Sequence, residues 1–255
     1  VSATGRGHAR DALDFYETPT DAIDPLLVKL EERGLGVGGG VVLDPGCGTG
    51  AIGARALAHG AARVVGVELD LHRGAQAFTQ GLTVVQEDFL AMPRPLERDI
   101  AALDATGLFN PPYRTKQYRE AARDFICKAR LLCPVVGALV RQGFFGSCRS
   151  RRDLIENAGL RLTADLPYRP SFCVACTCKL CGGSWRYRAG TPKAECLHPD
   201  EGLDTRTGEP CSWRGVPPSG ARGAAYKASD KDSADYCWGI WQRGYAGPVE
   251  RIWLW

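Results

Sequence analysis

Residues 41–50 read Val41-Val42-Leu43-Asp44-Pro45-Gly46-Cys47-Gly48-Thr49-Gly50. The short apolar run that opens this stretch has the composition of a strand buried on both faces. It enters a loop with glycine at positions 46, 48 and 50, and residues 51–59 then have a helical pattern. Strand, glycine loop and helix in that order make a ligand-holding loop. Glycine lets the backbone approach a ligand closely, and the start of a helix offers N–H donors without intrahelical partners. The spacing differs from the GxGxxG of dinucleotide loops, and no Lys-Ser/Thr pair follows as in nucleoside-triphosphate loops.

The same alternation continues outward. Residues 64–67, 82–85, part of 99–108, 135–140 and 161–166 read as strands, and 71–80, 117–131 and 150–158 as helices. Upstream, 20–32 reads as a helix with Ile23, Leu26, Leu27 and Leu30 as its apolar stripe and Thr20 as its cap. Strands alternating with helices predict an α/β domain with a doubly wound, mostly parallel sheet. The alternation stops at residue 173 and returns as two aromatic strands at 235–242 and 250–255. The expected organisation is an arm at 1–14, an α/β domain from 15–172 and 232–255, and a cysteine-rich insertion at 173–231.

Composition bounds the rest. The chain has 255 residues, 44% hydrophobic and 24% charged, which is globular rather than disordered. The longest apolar run, 131–140, is far short of the roughly 20 residues of a spanning helix. The first residues are polar and lack the apolar core of a secretory signal, so a cytoplasmic location is expected. The net charge of +3 is too mild to name a partner, but residues 114–161 hold 11 Lys/Arg against four acids. Such a stretch suits phosphate contact or a solvated helical face.

Acids recur where the strands end. Glu68 ends the second strand and is placed to accept both hydroxyls of a ribose. Asp88, ending the third, can accept from the exocyclic amine of an adenine, with Phe89 or Leu69 flanking the ring. After the fourth strand comes Asn110-Pro111-Pro112-Tyr113. The prolines fix φ and remove donors. The Asn side-chain oxygen and a proline carbonyl can then accept both hydrogens of a planar amine. Acceptors placed for a more tetrahedral nitrogen favour its attacking form, which is transition-state stabilisation. Tyr113 offers a face on which a flat acceptor can stack.

Together, Asp44, Gly46, Gly48, Gly50, Glu68 and Asp88 resemble the S-adenosylmethionine-dependent methyltransferases. The resemblance implies that the glycine loop holds the methionine part of the cofactor, Glu68 its ribose, and Asp88 with Phe89 its adenine. Asn110-Pro111-Pro112-Tyr113 resembles the catalytic motif of the amino-methyltransferases, which act on adenine or on a glutamine of release factors. Tyr16-Glu17-Thr18-Pro19 is similar to the segment that precedes the loop in bacterial and phage DNA adenine methyltransferases and packs over the methionine end. Arg169-Pro170-Ser171-Phe172 and Tyr236–Trp241 resemble their late strands. The implied activity is methyl transfer to adenine N6 in duplex DNA with the base flipped out. RNA adenine and a protein glutamine stay open as acceptors, as does a non-catalytic zinc-containing DNA-binding module on the same fold.

Six of the 11 cysteines fall within 173–231. Without a secretory signal, clustered thiols point to metal rather than to disulfides. Cys178-Lys-Leu-Cys181-Gly-Gly reads as a zinc knuckle, in which two thiolates share one ion and glycine allows the turn beneath it. Cys196 and Cys211 are the best candidates for the other two ligands, with His198 as substitute. Cys173 and Cys176 are alternates or a second site. Basic and aromatic residues interleave here (Trp185, Arg186, Tyr187, Arg188, Trp213, Arg214), a composition suited to nucleic-acid contact.

Overall fold

The computed structural model describes residues 15, 17–115, 117–146, 149–167 and 235–255, and the backbone of four short strands between 175 and 215. The chain divides into two compact units, Val1–Pro170 with Ala234–Trp255, and Ser171–Ser233.

In the first unit, α1 (Thr20–Glu31) precedes β1 (Val41–Pro45), α2 (Ala51–Ala58), β2 (Arg63–Glu68), α3 (Leu71–Thr79), β3 (Thr83–Gln86), α4 (Arg94–Ala101) and β4 (Thr106–Phe109). Then come α5 (Ala121–Leu132), β5 (Val135–Arg141), two 3-10 turns, α6 (Arg152–Glu156) and β6 (Leu160–Asp165). The second unit carries β7 (Ala175–Thr177), β8 (Ser184–Arg186), β9 (Ala194–Cys196) and β10 (Arg214–Gly215), and the first unit resumes with β11 (Tyr236–Gln242) and β12 (Glu250–Trp253).

Eight strands form one sheet in the order β12-β6-β11-β5-β4-β1-β2-β3, every neighbouring pair parallel except those of β11. The doubly wound, mostly parallel sheet expected from the alternation is present. Its order reverses at β1, which has β2 on one side and β4 on the other, and the crevice above such a switch point is where ligands bind. β11 runs antiparallel to both β5 and β6 for a topological reason. Cys237 pairs with Asp165, so the chain leaves β6 and re-enters β11 at the same end of the sheet, with no crossover to restore direction.

β11 is buried along most of its length and pins both layers. Trp238 and Trp241 are fully buried. Trp238 Nε1 donates to the Ala22 carbonyl of α1 at 2.8 Å, and Trp241 Nε1 donates to the Leu154 carbonyl of α6 at 2.8 Å. Burying about 200 Å² per indole at ~25 cal/mol per Å² stabilises by roughly 5 kcal/mol before entropy is counted.

Two local expectations change. The fourth strand begins at Thr106, and residues 99–101 belong to α4. Its signals are Pro93 at the cap, a proline in the first turn and an apolar stripe of Leu96, Ile100 and Leu103, outweighed in the sequence by charge. Thr20 lies inside α1, whose cap position is Pro19 in extended conformation without a side-chain bond.

In the second unit the strands form an antiparallel sheet in the order β10-β9-β8-β7. Thr177 pairs with Ser184, Trp185 with Cys196, and Arg214 with Glu195. The end of β7, the start of β8, the end of β9 and the start of β10 therefore share one end of this sheet.

Candidate active site

The ends of β1, β2, β3 and β4 and the turns after them converge on one cavity of about 280 Å³. Asp44, Gly46, Glu68, Asp88, Phe89, Asn110, Pro111, Pro112 and Thr18 all line it. The glycine loop and the Asn-Pro-Pro turn, 60 residues apart in sequence, thus share a wall.

Two glycines show why the loop has its spacing. Gly46 has φ +71°, and a Cβ there would lie 3.4 Å from Phe125 and 3.9 Å from Pro112, so a side chain would intrude between loop and turn. Gly48 has φ +55°, and its missing Cβ would lie 2.1 Å from the ring of Phe15, which packs on the loop. Gly50, at the cap of α2, and Gly48 shape the turn rather than line the cavity.

Three strand-end acids differ in what they hold. Glu68 is 6% exposed; its Oε2 accepts the Gly48 N–H at 2.7 Å and its Oε1 accepts the Asp70 N–H at 2.8 Å. It clamps the glycine loop, and a carboxylate has about four acceptor positions, so capacity for ribose hydroxyls remains. Asp88 Oδ1 accepts the Leu90 N–H at 2.9 Å, and its Oδ2 accepts the Tyr118 hydroxyl at 3.0 Å. Burial and this bond to Asp88 raise the Tyr118 phenol above its usual range. Asp44 is 1% exposed, and neither carboxylate oxygen has a well-formed hydrogen bond, the Gly53 backbone N–H giving its charge only slight relief. Burial, and then the charge of Glu68, push its carboxyl well above the usual range. The Cys47 thiol is raised by burial and by the charges of Asp44 and Glu68, so it is no nucleophile.

On the opposite wall, Asn110 Nδ2 donates to Thr18 Oγ1 at 3.1 Å. Pro111 is buried and Pro112 half-buried beside Gly46. Tyr113 does not line the cavity. Its hydroxyl donates to the Leu139 carbonyl at 3.2 Å, the Arg141 guanidinium lies 5.1 Å from its ring centroid, and Tyr236 meets it edge-on at 6.2 Å. The ring face expected to stack a planar acceptor therefore carries a cation. Phe89 is 2% exposed and packs on Phe125 at 5.1 Å, with Lys128 5.5 Å from its ring, so it is a core residue reaching the cavity. Leu69, half exposed, also lines the cavity. Pro19 does not line it.

Sequence reasoning missed Phe15, Arg73, Thr115, Gln117 and Tyr118, which line the same cavity. Their only signal was proximity to motifs: Phe15 and Tyr118 reach the site through contacts with distant chain, and Thr115 and Gln117 through a short turn closed on Tyr118. Tyr16 and the residues Cys178, Cys181 and Cys211 lie outside the described residues, as does the side chain of Cys196. Among the described residues, no group of three or more His, Cys, Asp or Glu is placed to hold a metal ion. Much of the basic stretch is internally engaged. Arg123 pairs with Glu120 and Asp124, Lys128 with Glu97, and Arg152 with Glu156. Arg161 bonds Gln242, and Arg141 bonds Tyr236. No described helix is long and apolar enough to cross a membrane.

No family model and no curated protein matches the chain. Solved structures do. A modification subunit of a candidate type I restriction enzyme from Vibrio vulnificus YJ016 is 16% identical over 97% of this chain and 46% of its own, with a TM-score of 0.52. A type I restriction-modification system methyltransferase subunit from Streptococcus thermophilus is 17% identical over 62% of this chain and 43% of its own, with a TM-score of 0.50. A candidate RNA methyltransferase from Pyrococcus horikoshii is 24% identical over 66% of this chain and 82% of its own, with a TM-score of 0.48. The chain spans less than half the length of the two restriction-modification subunits. What those two subunits share with it is the fold, a doubly wound, mostly parallel α/β sheet.

Proposed function

We propose that the protein is an S-adenosylmethionine-dependent amino-methyltransferase that methylates adenine N6 in DNA. The observation that carries this reading is the shared cavity of the glycine loop and Asn110-Pro111-Pro112. Asp44 supplies a test of fit. A carboxylate buried without a partner is costly, and a ligand bearing an ammonium and a sulfonium provides the missing positive charge. Asp44 and the loop at Gly46 would hold the methionine end, with Thr18 and the Tyr16–Pro19 segment over it. Glu68 would hold the ribose, and Asp88, Phe89 and Leu69 the adenine. When bound, the cofactor supplies a methyl group on sulfur: the acceptor nitrogen's lone pair takes the methyl, the C–S electrons stay on sulfur, and one N–H proton leaves to water.

The protein's own part is at the acceptor. Asn110 Oδ1 and the Pro111 carbonyl accept the two amine hydrogens and draw nitrogen lone-pair density out of the ring. For Tyr113 to stack on the base, Arg141 must leave its ring, which makes the guanidinium available to a phosphate. DNA is favoured over RNA or a glutamine by the Tyr16-Glu17-Thr18-Pro19 segment ahead of the loop. The restriction-modification names of two fold neighbours agree with that choice. Asn110→Ala is the test: transfer of labelled methyl to unmethylated duplex DNA falls by about 10³-fold or more while cofactor affinity holds. Survival of turnover would reject the chemistry.

A structural zinc ion in the second unit is part of the same reading. Cys178 and Cys181 belong to the connection between β7 and β8, Cys196 ends β9, and Cys211 precedes β10 by three residues. These connections start and finish at one end of the antiparallel sheet, which is in keeping with one ion between them. In a unit this small, a bound metal would add stability that a limited core supplies only in part. Metal analysis of the purified protein should return one zinc per chain. A metal-free, fully folded protein would reject it.

A further inference from the structure

We infer that Tyr118 is a positioning residue for Asp88, holding the plane of its carboxylate so that it reads the exocyclic amine of the cofactor's adenine. The inference rests on the reading of Asp88 as the adenine residue and adds what orients it. The direction of the bond between them is fixed by chemistry. An ionised carboxylate only accepts, so the Tyr118 hydroxyl is the donor to Asp88 Oδ2 at 3.0 Å. The phenol oxygen's lone pairs are then left for Gln117 Nε2, which donates to it at 2.9 Å. Burial and the bond to Asp88 hold the phenol above its usual range, so it keeps its proton and remains a donor.

Asp88 needs this second tie. Its Oδ1 accepts the Leu90 N–H at 2.9 Å, a bond that comes from its own turn. One such bond fixes one oxygen and leaves a soft terminal torsion on which the other can swing. Tyr118 takes the other oxygen from a distant part of the chain, and two ties on two oxygens set the carboxylate plane. A carboxylate has about four acceptor positions, so an amine hydrogen fits beside both donors. Tyr118 is itself pinned: its N–H donates to Thr115 Oγ1 at 2.9 Å, and its carbonyl accepts the Thr115 N–H at 3.0 Å. Thr115 stands just past the Asn110–Tyr113 turn, and Thr115, Gln117, Tyr118 and Asp88 all line the cavity. The acid that reads the cofactor's base is thus steadied from the acceptor side of the site.

The test uses Tyr118→Phe, which keeps the ring and the turn but removes the donor. Two ligands are measured by calorimetry: S-adenosylhomocysteine, and its analogue with hydrogen in place of the adenine amine. Tyr118→Phe should weaken S-adenosylhomocysteine by about 5–20-fold and the amine-free analogue by no more than about twofold. On an Asp88→Ala background the same change should have no further effect. Three results overturn the inference: S-adenosylhomocysteine affinity unchanged in Tyr118→Phe, equal losses for both ligands, which mark Tyr118 as a wall of the cavity only, or an undiminished loss on the Asp88→Ala background. Asp88→Ala alone separates the two levels. If it costs S-adenosylhomocysteine affinity while Tyr118→Phe does not, the positioning role alone fails; if it leaves that affinity and the preference for the amine intact, the adenine reading fails and the inference with it.

Discussion

The two walls of the cavity are built by opposite means. The wall formed by β1, β2 and β3 is backbone and carboxylate: glycines at positive φ, N–H groups drawn onto Glu68 and Val67, and a buried, unpartnered Asp44. The wall formed by the turn after β4 is side chain on side chain: Asn110 on Thr18 and, behind the cavity, Tyr113 under Arg141. A backbone wall suits a cofactor that is the same in every turnover. A side-chain wall can be rearranged when an acceptor arrives, because its cation and amide are held by side-chain contacts rather than by the backbone.

The difference can be broken from either side. The largest effect is expected at Gly46. Valine there takes up a strained backbone angle and places its branch between Phe125 and Pro112. Cofactor affinity should fall by about 100-fold or more in calorimetry, and retained affinity would show that the loop does not need its glycine spacing.

Asp44→Asn is expected next. It removes the charge that a cationic cofactor neutralises, so affinity should drop by roughly tenfold. It should also stabilise the ligand-free protein, because a charge buried without a partner is lost. The pH dependence has a definite sign. The folded Asp44 binds its proton more tightly than the unfolded chain, so its favourable contribution is complete below about pH 4 and is lost as pH rises through its folded pKa. The Tm advantage of Asp44→Asn should therefore be larger at pH 8 than at pH 5, and about 2–4 °C per kcal/mol gained. An advantage that shrinks with rising pH would contradict the burial account.

Trp238→Phe loses the bond to the Ala22 carbonyl and part of a buried ring, and should cost about 2 kcal/mol of stability in denaturant unfolding. The smallest effect belongs to the surface pair Arg33–Glu250, which ties the loop after α1 to β12. Arg33→Ala should change stability by no more than about 1 kcal/mol, and salt should erase most of the difference.

How much of this was legible in the sequence follows the same division. The glycine loop, Glu68, Asp88 and Asn110-Pro111-Pro112 could be read because backbone geometry forces particular residues into a short window. The alternation of strands and helices gave the sheet for the same reason. The antiparallel run of β11 could not be read, because direction depends on where the chain re-enters rather than on composition. The Thr18–Asn110 and Tyr118–Asp88 bonds join residues 92 and 30 apart, and no local pattern encodes them. The cation on Tyr113 comes from the end of β5, where Arg141 looked like one more member of a basic stretch. α4 went unread because a short, strongly charged helix carries few apolar positions.

The measurement that bears most directly on the central claim is nucleoside analysis after incubation with methyl-labelled S-adenosylmethionine and, in parallel, unmethylated duplex DNA, RNA and protein. The account predicts label in N6-methyladenine from the DNA alone. Label confined to RNA or to glutamine would reject the DNA assignment, and cofactor that binds without donating its methyl to any of the three would contradict the enzymatic reading itself.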